Sequence, residues 1–264
     1  MKIPAALLIA LTVCTASAQD WAKAQLEKSP RHQEWVKAKH GEREVSAFLV
    51  FPEVKEKATA VIVIHEIFGL TDWVRNVADQ LAAAGYIAIA PDLLSGAAPG
   101  GGGTAELGGS DNARKAISSL PADQITADLN AVADLVAKLP AANGKIAVAG
   151  FCWGGAQSFR FASNRKDLKA ALVFYGTGLE SEEDMARIAC PVLGFYGSND
   201  ARIGATIPKT EEQMKKAGKT YEPVTYEGAG HGFMRAGEAP DAGEPNKTAR
   251  DAAWKRVKGV LEKL

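Results

Sequence analysis

The chain has 264 residues, 47% of them hydrophobic and 23% charged, the balance of a globular protein that can bury a core without disulfide staples. Basic and acidic residues number 31 each, so no cationic excess is present to hold a nucleic-acid backbone. No apolar run reaches the roughly 18–20 residues that a membrane-spanning helix needs.

Lys2 precedes an apolar stretch, Ile3 to Val13, and Thr15-Ala16-Ser17-Ala18 offers the small residues of an Ala-x-Ala cleavage site. Residues 1–18 therefore read as a secretory signal peptide cut after Ala18, which implies export, with the periplasm as the expected location. A short buried helix and a lipid anchor on Cys14 are the alternatives for this stretch. Removing the signal leaves two cysteines, Cys152 and Cys190.

Residues 19–44 are polar and helix-compatible and read as an N-terminal helical arm, with His32 and His40 in solvent. Residues 45–264 read as one domain. Val45–Phe51 alternates like a strand and stops at Pro52. Ala60–Ile64 is a β-branched run suited to a strand buried on both faces. Leu70–Ala84 has helical spacing and ends at Gly85. Tyr86–Ala90 is a strand closed by Pro91-Asp92, and Ser95–Ser110, rich in glycine, reads as a mobile loop. The remaining spacing predicts helices over 124–139, 153–163, 180–188, 206–217 and 246–264. Strands are expected over 145–149, 170–175, 191–196 and 221–227. This alternation implies a mostly parallel sheet with helices on both faces.

Gly150-Phe151-Cys152-Trp153-Gly154-Gly155 joins a predicted strand to a predicted helix. It has the spacing of the G-x-S-x-G elbow with cysteine as the nucleophile. The turn aims a helix N-terminus at the sulfur, which favours a thiolate and a developing oxyanion. A buried structural cysteine is the plainer alternative, and Cys190 is read that way. A thiol needs a base, and His231 lies in a glycine-rich loop after the strand 221–227. The base needs an orienting carboxylate, and Asp200 follows the strand 191–196, with a helix-capping role as the alternative. The order Cys152, Asp200, His231 is the nucleophile–acid–histidine order of an α/β-hydrolase fold, with all three at strand carboxyl ends. His65-Glu66-Ile67-Phe68-Gly69 follows another strand. It places the backbone N–H of Ile67, with that of Trp153, as oxyanion donors, and sets Glu66 where it could take the thiol proton. Trp73, Trp153 and Phe233 are candidates to line an apolar acyl pocket, with a core role as the alternative. No metal-ligand spacing surrounds either mature cysteine, so no metal is expected.

With these residues in view, the chain resembles the dienelactone hydrolase family over roughly residues 45–260. The carriers are HEIFG at 65–69, GYIAIAPDL at 85–93, GFCWGG at 150–155, YGSND at 196–200 and GHGF at 230–233. The resemblance implies an α/β-hydrolase fold and a triad of Cys152, His231 and Asp200, with Glu66 controlling activation of the cysteine. It implies hydrolysis of a small-molecule ester or lactone without a cofactor, and Arg235 as the arginine that binds a substrate carboxylate. A second arginine and a tyrosine of the family pattern are expected after the PDL strand; residues 93–120 offer Arg114 and Lys115 but no tyrosine. The alternative functions are a broad-specificity exported carboxylesterase for neutral esters, a non-catalytic binding protein on the same scaffold, and a zinc site. A monomer or weak homo-oligomer is expected.

Overall fold

The β-branched runs and the alternation of strand and helix resolve into one eight-stranded sheet in the computed structural model, which describes residues 19–264. The predicted signal peptide lies outside the described residues. In chain order the elements are α1 (Asp20–Glu27), β1 (Gln33–His40), β2 (Arg43–Val50), β3 (Ala58–Ile64), α2 (Asp72–Ala83), β4 (Ile87–Pro91) and α3 (Ser110–Ser118). There follow α4 (Ala122–Ala137), β5 (Ala142–Phe151), α5 (Trp153–Asn164), β6 (Leu168–Phe174), α6 (Glu182–Ala186), β7 (Val192–Gly197) and α7 (Ala201–Gly204). The chain closes with α8 (Ile207–Lys216), β8 (Tyr221–Tyr226), α9 (Phe233–Ala236) and α10 (Glu244–Leu261). The sheet order is β1-β2-β4-β3-β5-β6-β7-β8. β1, β2 and β4 pair antiparallel, and every other pairing is parallel.

Successive residues of a strand point to opposite faces, and here both faces are covered. In β3, Val61 and Val63 face a cluster closed by Trp73 and Val77 of α2 and by Ala253 and Val257 of α10. Ala60, Ile62 and Ile64 face Leu129 and Val132 of α4 and Phe159 of α5. All seven residues of β3 are buried, which is why its sequence shows an unbroken apolar run rather than alternation.

The structure corrects the expected helical arm. Only Asp20–Glu27 is helical; residues 33–40 are the edge strand β1, turned onto β2 through Gly41-Glu42, with His40 paired to Arg43. Gly41 supplies the positive φ (54°) that such a two-residue turn requires. The strand was hard to read because Ala38 is its single fully buried residue, as befits an edge. His40 is not a solvent histidine: its Nε2 lies 2.5 Å from Asp128 Oδ1, and Arg43 Nε donates to the same oxygen at 2.8 Å.

The glycine-rich stretch is also more structured than expected. It folds into two 3₁₀ turns, Pro99–Gly101 and Thr104–Leu107, and leads into α3. Its anchor is Asp92, a buried carboxylate that accepts from the Thr104 N–H and hydroxyl, both at 2.7 Å, and from the Leu94 N–H at 3.1 Å. The Thr104 hydroxyl oxygen accepts from the Leu70 N–H at 3.0 Å, tying this segment to the loop after β3. Beside it, Leu94, Ala113 and Ile117 form a small apolar cluster that Ile67, Leu107 and Trp153 join. Asp92→Ala would strand several donors at once. The expected loss is about 3 kcal/mol in urea denaturation; a parent-like midpoint would show that Asp92 does not pin the segment.

Candidate active site

The turn between β5 and α5 is built from contacts that only glycine permits. A Cβ on Gly150 would lie 1.9 Å from the Gly154 carbonyl oxygen, and one on Gly154 would lie 2.4 Å from the carbonyl oxygens of both Ile64 and His65. With no side chains there, β3, β5 and α5 close on one another. Cys152 is held between them at φ 57°, ψ −115°, a sparsely populated conformation for a residue with a Cβ. Its N–H donates to the Phe174 carbonyl at 3.0 Å, and its own carbonyl accepts from Gly155 and Ala156 at 3.0 and 3.3 Å. The backbone is thus fixed on both sides of a partly exposed sulfur.

Around that sulfur the sheet edge assembles the residues read from sequence. Asp200, just after β7, is N-cap to α7 through the Ile203 N–H at 3.4 Å and also lies 2.5 Å from His231 Nδ1. It therefore makes the contact that each of the two sequence readings called for. His231 follows β8, with its ring edge-on to Tyr175 at a centroid distance of 5.0 Å. Its pKa is pushed up to about 9, first by hydrogen bonding to the Cys152 sulfur, against the opposing effect of burial, and further by Asp200. The imidazole is thus held by a carboxylate and is near enough to the cysteine to feel it. Among the described residues, neither the Ile67 nor the Trp153 backbone N–H is bonded to another backbone group. Both remain available to an oxyanion at the N-terminus of α5.

Glu66 and Arg235 meet across the site, with Arg235 Nε donating to Glu66 Oε2 at 2.8 Å. The Glu66 side chain is buried, and burial raises its pKa above the ordinary carboxylate value despite the opposing charges of Arg235 and His231. Arg235 also lies over the Phe68 ring at 5.7 Å. The arginine read as a carboxylate binder is therefore already engaged by an internal carboxylate.

Two expected pocket residues are core instead. Trp73 is fully buried, packs on Phe151 at 5.1 Å and donates its indole N–H to Glu238 at 3.1 Å. Phe233 is fully buried against Tyr175 and Tyr226. Trp153 is half-buried and stacks on His65 at 5.5 Å. Cys190 is a free buried thiol, pushed up to about 11 by burial, in line with its reading as a core residue. Two neighbours escaped the sequence reading. His65 is fully buried, and burial lowers its pKa; its Nε2 accepts from the Leu93 N–H at 3.3 Å and its Nδ1 lies 2.8 Å from the Glu66 carbonyl oxygen. It braces the loop that carries Glu66 and Ile67, and its position at the head of the HEIFG motif was the available signal. Tyr175, after β6, had none. A large hollow of about 840 Å³ lies elsewhere, between the β1–β2 hairpin and the glycine-rich segment, lined by Trp35, Arg43, Ser95 and Glu106. Among the described residues, no group of three or more His, Cys, Asp or Glu side chains is arranged to hold a metal ion.

The raised pKa of His231 has a definite sign. The stability of its protonated form is full below the ordinary value of 6.5 and is lost as pH rises through about 9. An imidazole NMR titration should give a midpoint near 9, falling toward 6.5 in Cys152→Ala. An unchanged midpoint in that variant would show that the sulfur does not hold the ring.

Comparison with known proteins follows the same lines. Residues 45–264 match the model of the dienelactone hydrolase family. A Saccharolobus solfataricus protein named "Putative carboxymethylenebutenolidase" is 31% identical over 254 residues, covering 83% of this chain and 94% of that one. A protein of the same name from Methylorubrum extorquens is 30% identical over 81% of this chain and 75% of its own length. Among solved structures, a "Putative Dienelactone Hydrolase" from Klebsiella pneumoniae superposes with a TM-score of 0.76 at 27% identity, covering 89% of this chain and 99% of that one. The chain belongs to the dienelactone hydrolase family, within the α/β-hydrolase superfamily, and is a hydrolase of that kind.

Proposed function

We propose that this protein hydrolyses small ester or lactone bonds through a triad of Cys152, His231 and Asp200, by way of a thioester. The observation that carries this reading is the His231–Asp200 pair at 2.5 Å, delivered to the strained, partly exposed Cys152 turn, with the cysteine near enough to raise the pKa of the ring.

In the resting state Glu66 is held by Arg235. A substrate carboxylate competes for the Arg235 guanidinium, and the released Glu66 takes the proton of the Cys152 thiol. The thiolate attacks the ester carbonyl carbon. A C–S bond forms, and the carbonyl electron pair moves onto oxygen, facing the Ile67 and Trp153 N–H groups. When the tetrahedral intermediate collapses, the bond to the leaving oxygen breaks and His231 supplies the proton to that oxygen. His231, now neutral, removes a proton from water as it attacks the thioester. The C–S bond breaks, the acid leaves, the sulfur departs as a thiolate beside a protonated imidazole, and Glu66 returns its proton to the sulfur and re-pairs with Arg235. Asp200 fixes the ring orientation and stabilises its charge throughout. The leader-like residues 1–18 support export as the setting of this activity.

A broad esterase acting on neutral esters is the second reading. It is favoured by the position of Arg114, which is exposed on α3 and faces Asp111 rather than the site, and by the apolar cluster that Ile67 and Trp153, the two oxyanion candidates, share with Leu107.

Cys152→Ala should lower kcat/KM for p-nitrophenyl acetate by about 10³-fold or more while leaving the fold intact by circular dichroism; parent-like turnover would refute the triad. Arg235→Gln should raise KM for carboxylate-bearing esters about tenfold more than for neutral esters of the same size. An equal effect on both classes would favour the second reading.

A further inference from the structure

The scheme above leaves one residue at the site unused. Tyr175 immediately follows β6 and, with Cys152, is one of two non-glycine residues with positive φ among the described residues, at 39°. A bulky aromatic is rarely found there, and such strain gathers at functional sites. The conformation is held by its N–H, which donates to the Phe195 carbonyl at 2.8 Å. The side chain is fully buried, edge-on to His231 and 5.5 Å from Phe233. Its hydroxyl has no hydrogen-bond partner among the described residues. A buried donor left unmatched is costly and calls for an explanation.

Two properties narrow what this hydroxyl can do. Full burial rules out direct contact with substrate in this conformation. The phenol also stays protonated, because burial holds its pKa well above the ordinary value and the Glu66 charge adds to that effect. Tyr175 is thus a fixed neutral donor lacking an acceptor. The Tyr175 ring packs on His231 and Phe233, and Glu66 Oε1 lies 3.8 Å from where a Cβ of the intervening Gly232 would stand, so the phenol and the Glu66 carboxylate face the same turn and Glu66 is the acceptor there able to change partners.

We propose that Tyr175 is a positioning residue whose hydroxyl is the second seat of the Glu66 carboxylate, occupied when Glu66 leaves Arg235. The inference rests on the activation step described under Proposed function. Glu66 is buried, so separation from Arg235 would otherwise leave a bare anion in the protein interior. A neutral donor set nearby stabilises the released carboxylate without outcompeting the guanidinium in the resting state. The charged and titratable groups that act on Glu66 are Arg235 of α9, His231 of the β8–α9 loop and Tyr175 itself, with Cys152 of the nucleophile turn acting on Tyr175 in turn. Of these, Tyr175 is the one that can donate while adding no charge.

The test is Tyr175→Phe, which removes only the hydroxyl. The melting temperature should be unchanged or higher, because the resting hydroxyl is unbonded. For a carboxylate-bearing ester, kcat should fall about tenfold, with KM within about twofold of the parent. The tyrosine donor favours ionised Glu66 in the substrate complex, so its loss should move the acid limb of the kcat–pH profile upward by about one pH unit. The limb of kcat/KM reports the free enzyme, where Arg235 holds Glu66, and should stay in place. In a Glu66→Gln background Tyr175→Phe should have no further effect on kcat. A parent-like kcat and profile would overturn the proposal, as would a markedly lower melting temperature, which would mean that the hydroxyl has a resting partner. Failure of Cys152→Ala to reduce turnover would instead remove the underlying reading, and this control separates the two.

Discussion

The site depends on one backbone constraint, the closure of β3, β5 and α5 around Gly150 and Gly154. Both glycines touch carbonyl oxygens at distances no Cβ could share, and the close approach leaves Cys152 at a positive φ with its sulfur on the open side of the turn. The strain is offset by three backbone hydrogen bonds around that residue and by the flanking strands, β3 buried throughout and β6 buried at all but Lys169. Everything else in the site is delivered to this fixed point: Glu66 and Ile67 from the end of β3, Tyr175 from β6, Asp200 from β7, and His231 and Arg235 from beyond β8. Parallel strands make this possible, because their carboxyl ends share one edge of the sheet.

The charges at that edge are arranged in two pairs. Asp200 and His231 form one, beside the Cys152 turn; Glu66 and Arg235 form the other. Both carboxylates are largely removed from water, so each is sensitive to the loss of its partner. The first pair is suited to keep an imidazole oriented through a catalytic cycle. The second is suited to change, because Arg235 is one-third exposed and within reach of a substrate anion, whereas Glu66 is not. This asymmetry in exposure connects burial to the proposed activation step.

Much of this was legible in the sequence, for identifiable reasons. The apolar runs of β3 and of the second half of β5 reflect burial on both faces, and the elbow glycines are forced by contact, so both leave clear patterns. Asp200 and His231 could be found because they follow strands whose ends must coincide. The features that escaped depend on tertiary context. β1 is an edge strand with a single buried side chain, so its composition resembles that of a polar helix. The glycine-rich segment has no hydrophobic period because its order comes from one carboxylate, Asp92, acting at a distance in sequence. Trp73 and Phe233 are aromatic in either role, and only their packing shows that they face inward. Tyr175 sits at the end of a strand already rich in aromatics, and nothing in Phe174-Tyr175-Gly176 marks its unmatched hydroxyl.

The central claim is that the Cys152 sulfur carries the acyl group during turnover. The most direct measurement is rapid acid quench of the protein during hydrolysis of p-nitrophenyl acetate, followed by peptide mass spectrometry. The account predicts one acetyl group on the peptide containing Cys152, released by hydroxylamine as a thioester is. Steady turnover with no acyl group on that peptide, or with the group on another side chain, would contradict it.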